Sequence, residues 1–343
     1  MSIMSKKKQR KEKERLFKSG QIQMLEPIPG MRIRQGHVPK FWQPLDAPDW
    51  VAAEEAERMR PDDPVIGFHV KGQAYAIPWW NIKNHHVANL DLDGTPVLVM
   101  LCEACSSLAA YYPVSGEKRF RFRVTGAWNG TFTIRDEEEE TSYWSPVFGK
   151  AVHGPLTGTT FERFPVFLSI WKEWAELYPE TRVPYGKGEL KTGHGSEFFP
   201  GSPSNERGIS DTLPVHDERL PANDLVLGVR VSDVTKAYPL KSLPQDRKVI
   251  NESIGDDEIA VFYRPGSWMA TARFRKIGDR TLNFETRDKQ IIDVETGSAW
   301  NFLGECIEGE FKGEQLPFVW SMMMEWHLWP AHFPETLIYG IDG

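Results

Sequence analysis

At Val65 the chain settles into regular alternation of apolar and polar positions. Val65-Ile66-Gly67-Phe68-His69-Val70, a turn at Lys71-Gly72, and Ala74-Tyr75-Ala76-Ile77-Pro78 predict a β-hairpin. Further short strands follow to about Arg135, among them the apolar run from Pro96 to Leu101. Ahead of Val65, from Gln21 to about Pro64, the sequence is rich in Pro and Trp and has little periodicity apart from a short helical pattern around Trp50 to Met59. That stretch reads as a wrapping arm.

The pattern then returns. Val65-Ile66-Gly67 followed by Ala76-Ile77-Pro78 recurs as Val226-Leu227-Gly228 followed by Ala237-Tyr238-Pro239, and Val87-Ala88-Asn89 recurs as Val249-Ile250-Asn251. Val97 to Leu101 matches Ile259 to Tyr263, and Asp136 and Trp144 match Asp293 and Trp300. Gly149, Gly154 and Gly158 match Gly304, Gly309 and Gly313, while Trp174 with Pro179-Glu180-Thr181 matches Trp329 with Pro334-Glu335-Thr336. The expected fold is therefore α+β and strand-rich, with two pseudo-symmetric repeats of one unit, closely packed. Each unit is expected to hold short strands followed by a Trp-rich amphipathic helix with a Pro-containing stop. The divisions are a basic N-terminal extension and Pro/Trp-rich arm (1–64), a first repeat (65–182), a Gly/Pro-rich connector (183–225) holding Gly193-His194-Gly195, and a second repeat (226–343).

Composition narrows the function classes. The 13 Trp, 19 Phe and 25 Pro in 343 residues suit strands and loops with bulky packing. A balance of 41 basic against 48 acidic residues, −7 overall, argues against a general nucleic-acid surface. No apolar run approaches the roughly 18 residues that a membrane helix needs. Lys6, Lys7, Lys8, Arg10, Lys11, Lys13, Arg15 and Lys18 precede no apolar core, so they read as a solvated extension rather than a secretory signal. With three Cys, the expectation is a cytoplasmic protein whose thiols stay reduced.

The chemistry converges on Cys102-Glu103-Ala104-Cys105, which follows the apolar strand and lies a few residues after His85-His86. The repeat offers an internal control, because a residue present in one copy only is not required by the architecture. Cys102 faces Arg264, Cys105 faces Ser267, His85 faces Asp246, His86 faces Arg247 and His153 faces Glu308. Asn89 with Asn251 and Asp136 with Asp293 are present in both copies and read as turn or capping residues. Cys306 sits opposite Ala151 and reads as core, and His327 and His332 read as structural.

Three readings of the cysteine pair stay open. In the first, Cys102, Cys105 and His85 bind one transition metal ion, copper, iron or zinc, with His153, His86 and Arg135 as catalytic candidates and Asn89, Trp128 and Trp144 lining the cofactor pocket. Copper or iron would suit oxidative modification of a small-molecule substrate, and zinc would suit activation of water. In the second, the protein is a non-catalytic metal carrier or small-ligand binder. In the third, Cys-x-x-Cys after a strand is a dithiol oxidoreductase motif, although the order of elements is not thioredoxin-like.

The ordered motifs resemble the bacterial family catalogued as domain of unknown function 3179. They are His85 with Asn89, the Cys102-Cys105 motif, Thr125-Gly126, Arg135-Asp136, Ser142-Tyr143-Trp144-Ser145, Ala151-Val152-His153-Gly154-Pro155-Leu156, Asp217-Glu218-Arg219-Leu220-Pro221 and Lys236-Ala237-Tyr238-Pro239. Two departures stand out. Glu103-Ala104 replaces the family's usual Pro-Leu, and Arg135 stands where Tyr precedes the Asp. The resemblance singles out His85 over His86 and implies no particular reaction.

Overall fold

The computed structural model describes residues 22–36, 43–83, 85–184, 200–201 and 212–342. The basic N-terminal stretch and most of the expected connector, His194 included, lie outside the described residues. In the first half, Pro64–Val70 and Gln73–Pro78 form the expected hairpin, turning at Lys71 and Gly72, which both have positive φ. Val166–Ile170 pairs on its outer side, and Arg182–Pro184 and Trp50–Ala52 complete the sheet. A second sheet orders Glu162–Arg163, Ser107–Tyr112, Thr95–Cys102, Val87–Leu92 and Leu45–Asp46. A third carries Phe122–Trp128, Thr131–Asp136, Tyr143–Ser145 and Lys150–His153.

The second half follows a similar order. Leu225–Val231 pairs with Val234–Pro239 and Ser321–Glu325; Val249–Ile254, Asp257–Tyr263 and Ala270–Phe274 form a meander; Phe284–Arg287, Gln290–Asp293, Ala299–Trp300 and Cys306–Glu308 form the outer sheet.

The expectation of an α+β fold with a Trp-rich helix in each unit is overturned, since strands make up 47% of the described residues and helices 9%. The residues leading into the tryptophans are strands, Val166–Ile170 and Ser321–Glu325, held by ladders to Pro64–Val70 and Leu225–Val231. What is helical after them is short: Trp171–Leu177, and Trp329–His332 with Pro330 in its first turn. The tryptophans are buried by close approach to a strand rather than along an amphipathic stripe. A Cβ added to Gly67 would lie 2.3 Å from the Trp174 ring, and one added to Gly228 would lie 2.2 Å from the Trp329 ring. Each indole N–H donates to a threonine hydroxyl, Trp174 to Thr181 at 2.9 Å and Trp329 to Thr336 at 2.7 Å. The helical pattern around Trp50 to Met59 likewise resolves into the strand Trp50–Ala52 and a single 3-10 turn, Ala53–Glu55.

The Thr95–Cys102 strand shows why its sequence is continuously apolar. Alternate side chains of a strand face opposite ways. Val97, Val99 and Leu101 enter a core shared with Leu227, Val229, Val261 and Met323 of the second half. Leu98, Met100 and Cys102 enter another core, with Trp144, Met322, Met324 and Trp329. Both faces are thus dry, and both cores draw on both halves. No helix among the described residues is long and apolar enough to cross a membrane.

Asn89 and Asn251 are strand clasps. Asn89 accepts from the Phe122 N–H at 2.8 Å and donates to the Phe122 carbonyl at 3.0 Å, and Asn251 does the same with Phe284 at 2.8 and 2.7 Å. Asn89→Ala leaves a buried N–H and C=O without partners. The expected cost is about 2 kcal/mol, read as a lower urea midpoint at unchanged slope.

Candidate functional site

Cys102 is the last residue of its strand and pairs with Ser107 across the hairpin. The turn between them, Glu103-Ala104-Cys105-Ser106, closes with Ser106 at φ 50°, a left-handed conformation that a small polar residue tolerates better than a bulky one. Both sulfurs are buried, at 1% and 0% exposure, and both are free thiols. Cys105 Sγ lies 3.3 Å from Ser107 Oγ and 3.7 Å from Thr131 Oγ1.

Hydrogen bonding from the Cys105 and Thr131 side chains and from the backbone of Ala104 and Phe132 favours the ionised form of Cys102. Burial pushes the Cys102 thiol up, but these hydrogen bonds outweigh it and hold the group below its ordinary value. Cys105 moves the other way. Burial, its bond to Cys102, the charge on Cys102 and the nearby Glu325 carboxylate all raise it, against a smaller opposing effect of Ser107. The two thiols are therefore unequal: Cys102 is the more readily ionised of the pair and Cys105 the less.

The second half closes over this turn. The Glu325 N–H donates to the Cys105 carbonyl at 2.9 Å. The Glu325 carboxylate, fully buried, accepts from Ser106 Oγ at 2.7 Å and from Asn223 Nδ2 at 2.9 Å, with His327 Nδ1 at 3.5 Å. The matching turn of the second half, closed by the Arg264 N–H to the Met269 carbonyl, docks on the first half through different chemistry. There Arg264 pairs with Glu173 at 3.4 Å and Glu176 at 3.2 Å, and Ser267 Oγ donates to Glu173 at 2.5 Å. An ion pair occupies the place that the thiols hold in the first half.

The remaining predicted residues are dispersed. His85 Nδ1 lies 2.5 Å from the Gln43 carbonyl. His86 sits at φ 61°, directs Nδ1 to the Leu101 carbonyl at 3.0 Å and stacks on Phe132; burial drives it down to about 4, with His85 adding to the shift and the Leu101 carbonyl opposing it. His153 stacks on Tyr143 with ring centroids 6.0 Å apart, and Arg135 reaches Thr141 Oγ1 at 3.4 Å. Trp128 donates to the Pro29 carbonyl, while Trp144 is buried and donates to Asp136 at 2.8 Å. Among the described residues no group of three or more His, Cys, Asp or Glu side chains is placed to hold a metal ion. Cys102 and Cys105 come together, and His86 adjoins Cys102 through backbone and ring bonds to Leu101.

At the tip of the turn, burial lifts Glu103 to about 7, against the opposing charge of Lys83, which itself lies over the Trp80 ring. Thr131, Asn223 and Glu325 carry no signal in the sequence. They carry no motif, and they reach the cysteines only through tertiary contacts.

With this geometry in hand, the comparisons place the chain. The family described as "Protein of unknown function (DUF3179)" matches residues 37–336, a span that includes the cysteine turn, Asn223 and Glu325. The chain belongs to this family. No curated protein and no solved structure matches it. The family match thus takes in both halves of the site and leaves its chemistry to be argued from the side chains.

Proposed function

We propose that Cys102 and Cys105 form a redox-active dithiol that exchanges with a small-molecule disulfide. The observation that supports this reading is the placement of two buried free thiols in one tight turn after a strand, with Cys105 Sγ held by the Ser107 and Thr131 hydroxyls. In the exchange, the Cys102 thiolate attacks one sulfur of the disulfide, forming a mixed disulfide and expelling one thiolate. Cys105 then loses its proton and attacks the Cys102 sulfur, closing the Cys102–Cys105 bond and releasing the second thiolate. Two electrons pass from the dithiol to the co-reactant, which leaves as two thiols. Burial of both sulfurs selects a small co-reactant, admitted past the half-buried Glu103 and Ala104 at the tip of the turn.

Mass spectrometry after incubation with oxidised glutathione tests this. The wild type is expected to lose two hydrogens with an internal disulfide mapped to Cys102 and Cys105. Cys105→Ser is expected to trap one glutathione on Cys102, and Cys102→Ser to trap none. Cys306, buried and bonded to the Glu308 carbonyl at 3.2 Å, is an internal control that stays unmodified. Absence of both the internal disulfide and the trapped adduct would sink the proposal, and metal retained by the wild type but lost from Cys102→Ser would replace it with a metal site.

A further inference from the structure

We propose that Glu325 is the positioning residue of the Cys102–Cys105 couple, anchoring its turn from the opposite half of the molecule and setting its reduction potential with a buried negative charge. This inference rests on the dithiol reading above.

The anchoring is a matter of geometry. Glu325 ends the strand Ser321–Glu325, and its N–H fixes the Cys105 carbonyl at 2.9 Å while its Oε1 accepts from the adjacent Ser106 at 2.7 Å. One residue therefore grips two successive residues of the turn, through main chain and side chain together. Its other oxygen is held by Asn223 at 2.9 Å, with His327 at 3.5 Å on the outer side. Hydroxyl and amide donors on both oxygens are what a carboxylate, an acceptor-only group, requires when it has no exposed surface.

The charge has a direction of effect. The disulfide carries no ionisable group, whereas the reduced pair gains a negative charge whenever either thiol ionises. A negative charge buried beside the pair opposes the anionic reduced form, because the surroundings are dry and screen little. Glu325 thus makes the couple more strongly reducing than the same turn would be without it. The second half of the chain offers the contrast: the equivalent turn carries Arg264 and Ser267 in place of the thiols and meets Glu173 through an ion pair.

The test is equilibration of the full-length protein with glutathione redox buffers at about pH 8. Glu325→Gln keeps the shape and removes the charge. It is expected to shift the equilibrium about tenfold toward the dithiol, equivalent to about 30 mV for this two-electron couple. Glu325→Asp keeps the charge and is expected to stay within about twofold of wild type. A purely structural anchor would predict the opposite ranking, since the shorter side chain breaks more of the grip. If Glu325→Gln does not fold, Ser106→Ala serves instead: loss of the hydroxyl that offsets the carboxylate is expected to shift the equilibrium toward the disulfide. An unchanged potential in Glu325→Gln, or in Ser106→Ala where that variant stands in, overturns the inference while leaving the dithiol reading intact. A wild type that forms no Cys102–Cys105 disulfide in any buffer overturns both.

Discussion

Trp329→Ala is expected to cost about 4 kcal/mol of unfolding free energy, a large part of what a domain has to spare. The Trp329 side chain has no exposed surface, packs on Phe333 at 4.3 Å between ring centroids and on Trp320 at 6.1 Å, and lies close against the strand at Gly228. Removing the ring opens a cavity bounded by backbone, which cannot collapse to fill it. It also strips the Thr336 hydroxyl of the N–H that it accepts. Chemical denaturation with unchanged slope is the measurement, and a loss below about 1 kcal/mol would mean that the site had repacked. Gly228→Ala approaches the same contact from the other side. Its added methyl meets the ring at 2.2 Å, and the expected loss is smaller, about 2 kcal/mol, because the short Trp329–His332 helix has room to shift.

The second large effect is a fall in stability on acidification. Burial holds His69, His86 and His332 down at about 4, from an ordinary value of 6.5. The unfolded chain takes up these protons from about pH 6.5 downward, while the folded protein refuses them until about pH 4. Stability therefore drops across that window and levels off below it. Each group at full effect is worth about 3 kcal/mol. Glu103 works in the opposite direction. Its folded value, raised to about 7 from 4.5, means that the folded state takes up a proton first as the pH falls from 7 to 4.5, which returns a similar amount. Three losses against one gain, each reduced because these side chains keep some contact with water, leave a net fall of about 3 to 6 kcal/mol between pH 7 and 4. Urea midpoints measured across this range check the sign. His332→Leu is expected to flatten the profile, and a wild-type profile already flat from pH 6.5 to 4 would refute the assignment.

The strand framework was legible in the sequence wherever the chain alternates against a buried face. The hairpin from Val65 to Pro78 is written in its pattern, with Lys71-Gly72 supplying the turn. The helices were not legible. Large apolar residues near Trp174 and Trp329 mimic an amphipathic stripe, yet they are spaced by a strand that ends at Ile170 or Glu325 and a short turn that begins there. A short apolar run does not reveal which of the two it is. At the site, the two sulfurs could be picked out because a strand followed by Cys-x-x-Cys sets their spacing locally. The expected third ligand did not follow from spacing, because His85 turns toward Gln43, a residue of the arm. Glu325 was invisible for the plainest reason: no motif around position 325 points to the cysteine turn.

The bond from Ser106 to Glu325 spans 219 residues of chain. A ribosome adding about 5 to 20 residues each second needs roughly 10 to 40 seconds to cover that distance. Throughout that interval the cysteine turn exists without its anchor, without Met322, Met324 and Trp329 against its core face, and open to any oxidant or metal in its surroundings. The thiols are thus most vulnerable before Ser321–Glu325 is made, and that strand and the Trp329 turn after it are what seal them.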